Sequence, residues 1–205
     1  KNVSFELGGE FLIRDMNWVV QRGDRIGLVG PNGVGKSTLI KLLIGEYSAS
    51  KGTIHTGTKI EVAYFDQSRA ALDQEMTVNE AIGAGRDFIE INGQSIHVVS
   101  YLKRFMFDSA QSRGKIRTLS GGQQNRLLMA QLFAQPANLL ILDEPTNDLD
   151  VETLELLEAL LHEYSGTVLL VSHDRRFLDE VVTSLLVFKG EGQVEAQVGG
   201  FSEWV

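Results

Sequence analysis

A parallel α/β fold is the architecture this sequence predicts, and two patterns carry the prediction. From residue 139 onward, short apolar runs alternate with amphipathic stretches. Residues 139–142 are wholly apolar, residues 151–164 place Leu154, Leu157, Leu160 and Leu161 along one side, and residues 168–171 are apolar again. Uninterrupted apolar strands separated by helices are expected where a sheet is covered on both faces, as parallel sheets are. Nearer the start, residues 25–29 form a short apolar strand that enters a glycine loop. Residues 36–44 follow, with Leu39, Leu42 and Leu43 at helical spacing before Gly45 ends the run.

The remaining elements fall in place around these. Lys1-Asn2-Val3-Ser4-Phe5 alternates like a strand, and the first 65 residues read as strands with one helix. Residues 53–54 and 60–65 read as sheet, separated by the turn residue Gly57, while residues 77–135 are mostly helical in pattern with a polar, basic break at 109–117. Residues 185–188 and 194–198, joined through Gly190-Glu191-Gly192, read as a closing hairpin.

Composition narrows the function classes. With 205 residues the chain buries roughly 70% of its unfolded surface, so one core closes without staples. The absence of cysteine excludes disulfides, thiolate metal sites and a thiol nucleophile, and fits a cytoplasmic protein. Hydrophobic residues at 43% and charged residues at 22% exclude global disorder. A net charge of −8 opposes coating of phosphates by the whole surface, yet the charge is uneven. Residues 1–100 hold 10 Lys/Arg against 12 Asp/Glu, residues 101–126 hold 6 against 1, and residues 127–205 hold 3 against 14. No run of 18 apolar residues suggests a membrane span, and no signal peptide is expected. The chain reads as a fragment of a longer protein.

Three motifs carry chemistry. Gly30-Pro31-Asn32-Gly33-Val34-Gly35-Lys36-Ser37, followed by Thr38, satisfies the phosphate-binding loop pattern. Its glycines let backbone N–H groups face phosphate oxygens at a helix start, Lys36 adds a cation, and Ser37 offers a hydroxyl to Mg2+. Residues 139–144 form an apolar strand that ends in Asp143 and Glu144. Strand alternation sends these carboxylates in different directions, so Asp143 suits the Mg2+ shell and Glu144 suits polarising a water. Leu119-Ser120-Gly121-Gly122-Gln123 opens another helix and makes a second anion site through N–H groups and the helix dipole. One mononucleotide needs one phosphate loop, so the second site implies a second ligand or completion by another copy.

On these residues the chain resembles the nucleotide-binding domain of ABC ATPases, a P-loop NTPase fold. Gly30 to Ser37 match Walker A, Leu139 to Glu144 match Walker B, and Leu119 to Gln123 match the signature motif. Gln67 in Tyr64-Phe65-Asp66-Gln67 matches the Q-loop glutamine, Leu149-Asp150 fall in the D-loop, and His173 after Leu169-Leu170-Val171-Ser172 matches the switch histidine. The resemblance covers essentially the whole chain. It implies a mainly parallel core sheet with an antiparallel β subdomain at about 1–66 and 136–205, and a helical subdomain at about 67–135 that carries the signature. It also implies ATP and Mg2+ as ligands, with Ser37, Gln67 and Asp143 at the metal and Glu144, His173 and Gln67 catalytic. Two ABC domains then pair head to tail, so that ATP on one Walker A is capped by Ser120 and Gly122 of the other. A single copy is accordingly expected to be a poor ATPase.

Glu144-Pro145-Thr146-Asn147-Asp148-Leu149-Asp150, Arg126 and the ending Gly199-Gly200-Phe201-Ser202-Glu203-Trp204 resemble the ABC-F branch. Members of that branch carry two ABC domains and no membrane segment, and act at the ribosome or on nucleic acid. The alternative is the nucleotide-binding subunit of a membrane transporter. The basic residues Lys103, Arg104, Arg113, Lys115, Arg117 and Arg126 are the candidate RNA or DNA contact. One departure concerns the base: Leu7 stands where family members often place an aromatic residue against adenine, which leaves Phe5 or Phe11 as substitutes.

Overall fold

Leucine, isoleucine and valine fill the strands at the centre of a six-stranded sheet, because successive residues there point to opposite faces and both faces are buried. The computed structural model describes residues 1–66 and 72–204. In chain order its elements are β1 (Val3–Leu7), β2 (Glu10–Met16), β3 (Arg25–Val29), α1 (Lys36–Leu43), β4 (Val62–Asp66), α2 (Val78–Gly83), β5 (Phe88–Ile91), β6 (Gln94–His97), α3 (Val98–Lys103), α4 (Ser109–Arg113), a 3-10 turn (Ile116–Thr118), α5 (Gly121–Ala134), β7 (Leu139–Asp143), α6 (Val151–Glu163), β8 (Thr167–Val171), α7 (Arg175–Val181), β9 (Ser184–Gly190), β10 (Gln193–Val198) and α8 (Phe201–Trp204). The chain divides into two units, one of Lys1–Phe65, Ala137–Pro145 and Tyr164–Val205, the other of Asp66–Pro136 and Thr146–Glu163.

In the first unit the sheet order is β10-β9-β3-β8-β7-β4. β3 pairs parallel with both β8 and β9, β7 pairs parallel with β8, and the β9–β10 hairpin adds an antiparallel edge. The expected parallel α/β architecture is therefore present. Every residue of β8 is buried. Ile26, Leu28, Ile141, Leu169, Val171, Leu186 and Phe188 join Phe5 and Ile13 of the small antiparallel β1–β2 sheet, and Leu39, Ile40 and Leu42 of α1, in one apolar cluster.

The second unit is helical around buried Tyr101, Phe105, Phe107, Ile116 and Leu127. Tyr101 donates its hydroxyl to the Ala130 carbonyl at 2.8 Å, tying α3 to α5. One expectation is refined and one corrected. The stretch 77–135 is mostly helical, as its pattern predicts, but β5 and β6 form an antiparallel hairpin within it. Asn92 and Gly93 both take left-handed φ values at its tip, a pairing that suits the twist of a two-residue hairpin turn. Residues 53–54 are irregular rather than strand, since only Lys51 makes a bridge to Ser4 before Gly52 turns the chain at φ 83.

Candidate functional site

Register brings three strand ends to one level. β8 lies between β3 and β7, and Val171 is opposite Leu28 on one side and Asp143 on the other. The chain therefore leaves all three strands along a single edge: into Gly30 after β3, into Glu144 after β7, and into Ser172 and His173 after β8. Crevices outside the carboxyl ends of parallel strands are where such sheets bind ligands. Here a cavity of about 180 Å3 is lined by Asn32, Gly33, Gly35, Lys36, Ser37, Thr38, Asp143, Glu144 and Val171.

The loop is shaped for an anion. Gly35 sits at φ 116, and a Cβ there would lie 2.8 Å from the Leu12 carbonyl oxygen, so neither the conformation nor the space admits a side chain. The N–H groups of Lys36, Ser37 and Thr38 open α1 and have no carbonyl within the helix to receive them. Lys36 is 7% exposed and donates to the Gly30 and Pro31 carbonyls at 2.6 and 2.8 Å. Burial lowers its pKa, while Glu144 and then Asp143 oppose the shift. A buried cation on a ring of unpaired N–H groups fits a polyphosphate. Gly30, Pro31 and Val34 do not line the cavity: the first two act through the carbonyls that hold Lys36, and Val34 packs against the apolar cluster.

Glu144 stands at φ 49, with its N–H on the Val171 carbonyl at 2.9 Å. That hydrogen bond turns the carboxyl back toward His173. Glu144 Oε2 accepts the His173 backbone N–H at 3.3 Å, and Oε1 lies 3.3 Å from His173 Nε2. The same ring nitrogen is 3.0 Å from Asn32 Oδ1. Burial pushes the Glu144 carboxyl above its ordinary pKa, with His173 the largest opposing influence. A partly desolvated carboxylate is the form of Glu that can take a proton near neutrality.

Asp143 Oδ2 accepts the Tyr64 hydroxyl at 3.4 Å. Among the described residues no group of three or more His, Cys, Asp or Glu side chains can hold a metal. Ser37 and Asp143 therefore offer one hydroxyl and one carboxylate, a donor set that suits Mg2+, which keeps waters and takes phosphate oxygens. Gln67, expected at the metal and among the catalytic residues, lies outside the described residues.

In the second unit, Ser120 caps α5: its hydroxyl accepts the Gln123 N–H at 3.3 Å, and Gln123 Oε1 accepts the Ser120 N–H at 2.9 Å. This reciprocal box holds the helix start while leaving the first-turn N–H groups of Gly121 and Gly122 outside it. A Cβ on Gly122 would lie 2.5 Å from Asp150 Oδ2, and that carboxylate accepts the Thr153 N–H at 2.8 Å as α6 begins. The signature turn and the segment at Asp150 are thus in contact, which sequence spacing did not reveal. The Asn32–His173 pairing was also missed; one loop asparagine 141 positions away from a histidine carries no signal of its own.

The structure narrows the candidates for the base. Phe5 is 8% exposed and stacks on Tyr47 at 5.3 Å, so it belongs to the core. Phe11 is half-buried beside Leu12, whose carbonyl abuts the loop at Gly35, and carries the Arg14 guanidinium 4.7 Å above its ring. Phe11→Ala is expected to weaken ATP binding by about 1–3 kcal/mol, by analogy with base stacking in nucleic-acid complexes. Phe5→Ala instead costs about 3–5 kcal/mol of fold stability as a buried aromatic truncation. Isothermal titration and thermal melts of the two variants separate these outcomes, and equal ATP affinity in Phe11→Ala and wild type would exclude Phe11.

A family model described as ABC transporter matches residues 13–147. The chain is 52% identical over 203 residues to the ATP-binding protein Uup of Escherichia coli, covering 99% of this chain and 32% of that protein. It is 53% identical over 201 residues to the ATP-binding protein Uup-like of Haemophilus influenzae, covering 98% and 44%. To the energy-dependent translational throttle protein EttA of Escherichia coli it is 39% identical over 203 residues, covering 99% and 37%. The chain thus spans between about a third and less than half of the length of these relatives. Among solved structures, one described as an inward-facing conformation of a metal-chelate type ABC transporter matches with a TM-score of 0.71 at 24% identity, over 97% of this chain and 81% of that one. That likeness shows the fold.

Proposed function

The chain belongs to the ABC transporter family, and from that membership we propose that it binds ATP with Mg2+ and hydrolyses it as one of two ABC domains in a cytoplasmic ABC-F type protein. The observation that carries the reading is the single cavity that gathers Lys36, Ser37, Asp143 and Glu144 at the ends of two neighbours of β8. Lys36 and the N–H groups at the start of α1 hold the β- and γ-phosphates. Ser37 and Asp143 would hold Mg2+, with Gln67 as the further ligand that the family resemblance implies, and the ion would supply neutralising charge to the phosphate oxygens. Glu144 accepts a proton from water as its oxygen bonds to the γ-phosphorus and the bond to the bridging oxygen of ADP breaks. His173 contacts the γ-phosphate side of the site.

Ser120, Gly121, Gly122 and Gln123 serve the phosphate of a second ABC domain. The first unit is then the catalytic core and the second the helical subdomain. Because each ATP needs the signature of another domain, phosphate release per molecule by this chain is expected to rise with protein concentration. A specific activity independent of concentration over a hundredfold range would remove the pairing.

The ABC-F reading is supported by the identity to Uup and to EttA, a protein named for throttling translation. Among the described residues no helix is long and apolar enough to cross a membrane. The proposed partner is a ribosome or branched nucleic acid. The basic residues at 103–126 form only part of that contact, because Arg104 pairs with Glu163 at 2.7 Å, Arg117 with Glu75 at 3.3 Å, and Lys115 donates to the Glu75 carbonyl. Lys103 and Arg113 stay exposed. Arg126 is half-buried and its charge acts on Asp150, so the two exposed cations that make no ion pair among the described residues predict a salt dependence with a log–log slope of about −2 rather than the value near −5 of six phosphate contacts. Co-sedimentation of the full-length protein carrying Glu144→Gln with ribosomes in ATP tests the partner; recovery with membranes instead would favour a transporter subunit.

A further inference from the structure

We propose that Asn32 is a positioning residue that competes with Glu144 for the ring proton of His173 and so governs when the Glu144 carboxylate is free to accept a proton from water. The proposal rests on the hydrolytic reading above, and three distances carry it. His173 Nε2 lies 3.0 Å from Asn32 Oδ1 and 3.3 Å from Glu144 Oε1, while the His173 backbone N–H reaches Glu144 Oε2 at 3.3 Å.

These contacts fix the protonation of the ring. A bare nitrogen lone pair facing an ionised carboxylate at this distance is repulsive, so Nε2 carries the hydrogen. Asn32 must then present its amide oxygen, because its NH2 group would face an N–H. One N–H cannot serve two acceptors at full strength. When the proton goes to Glu144, both carboxylate oxygens are occupied by His173; when it goes to Asn32, Oε1 is released.

The arrangement is built for this choice. Asn32, Glu144 and His173 stand just beyond three adjacent strands, β3, β7 and β8, whose register is fixed by buried leucines and valines. Among the described residues the Asn32 side chain has no hydrogen-bond partner besides His173. The nearby charges are accounted for: Lys36 is held by loop carbonyls and Asp143 takes the Tyr64 hydroxyl.

Two substitutions should give opposite patterns. Asn32→Ala leaves the ring proton only Glu144, so kcat falls about 10-fold or more, the worth of one hydrogen bond to an ionised group, and falls by more than ATP affinity does. Asn32→Asp keeps an oxygen acceptor of the same shape but adds a negative charge beside the phosphates, so KM rises by a larger factor than kcat falls. An asparagine that only shapes the loop would raise KM in both variants and leave kcat alone, and that result overturns the proposal.

A second measurement needs no turnover. In the nucleotide-free chain at a pH where imidazole is neutral, 15N spectra assigned with His173→Gln should show Nε2 as the protonated ring nitrogen, with its resonance displaced in Asn32→Ala. An Nδ1-protonated ring, or a resonance unmoved by Asn32→Ala, overturns the proposal. Absence of ATP hydrolysis by wild type would sink the hydrolytic reading and leave the spectrum to decide the role of Asn32.

Discussion

Glu144→Gln is expected to bind ATP as wild type does, to lose hydrolysis by a factor of about 10^2–10^4, the contribution of a positioned general base, and to accumulate as an ATP-closed dimer. The amide keeps the size of the carboxyl and one acceptor oxygen for the His173 N–H, so the cavity survives while the basic oxygen is lost. Burial already holds the Glu144 carboxyl above its ordinary value of 4.5. In wild type, then, the acidic limb of kcat should lie above the usual Glu range, and it should vanish from the residual activity of the variant.

Stability moves the other way. A carboxyl whose pKa is raised by folding costs nothing below the unfolded value, begins to destabilise as pH rises through 4.5, and exerts its full penalty above the folded value. The nucleotide-free Glu144→Gln chain should therefore melt no lower than wild type at neutral pH, with the difference fading under acid. Equal phosphate release by the two proteins would refute Glu144 as base. A variant that melts lower only at neutral pH would refute the burial argument.

Lys36→Met is expected to remove ATP binding rather than catalysis alone. Among the described residues Lys36 is the only cation lining the cavity, and its ammonium sits on the Gly30 and Pro31 carbonyls, where the polyphosphate would lie against it. At an ATP concentration 100 times the wild-type dissociation constant, binding stabilises the fold by about 2.7 kcal/mol. For a chain of this size that is roughly 5–10 °C of melting temperature, and the shift should disappear in the variant.

Without ATP the sign reverses again. The lysine pKa is lowered by burial, so the charged form is disfavoured in the folded state at every pH below the folded value, neutrality included. Methionine fills a similar volume without that penalty, and the nucleotide-free variant should be at least as stable as wild type. Differential scanning fluorimetry with and without ATP reads both effects. A variant that keeps the ATP-dependent shift would show that Lys36 does not hold phosphate. Lys36 and Glu144 thus both place charge where the fold alone would not, as sites tuned for chemistry do.

What could be read without coordinates was whatever is encoded within a few consecutive residues. The apolar runs at β7 and β8 announced buried parallel strands, the glycine spacing before α1 announced an anion loop, and Leu119 to Gln123 announced a helix start. The β5–β6 hairpin has a strong turn signal in Asn92-Gly93, but its strands are only four residues each and lie within a longer helical pattern that hides their alternation. Phe5 and Phe11 looked interchangeable in sequence. Only the stack on Tyr47 assigns one to the core and leaves the other beside the loop.

The sequence by itself determined the fold class, the phosphate loop, the paired carboxylates and the family, since each is a local pattern of residue types at fixed spacing. The tertiary structure decided what depends on parallel register: that Leu28, Val171 and Asp143 lie abreast, so that Asn32, Glu144 and His173 meet at one edge although 112 and 141 positions of chain separate the first from the others. Register is set by packing of the whole sheet rather than by any one strand, so the proton shared by His173 has no counterpart until that packing is complete; within the second unit, the contact of Gly122 with Asp150 likewise joins segments that sequence leaves apart.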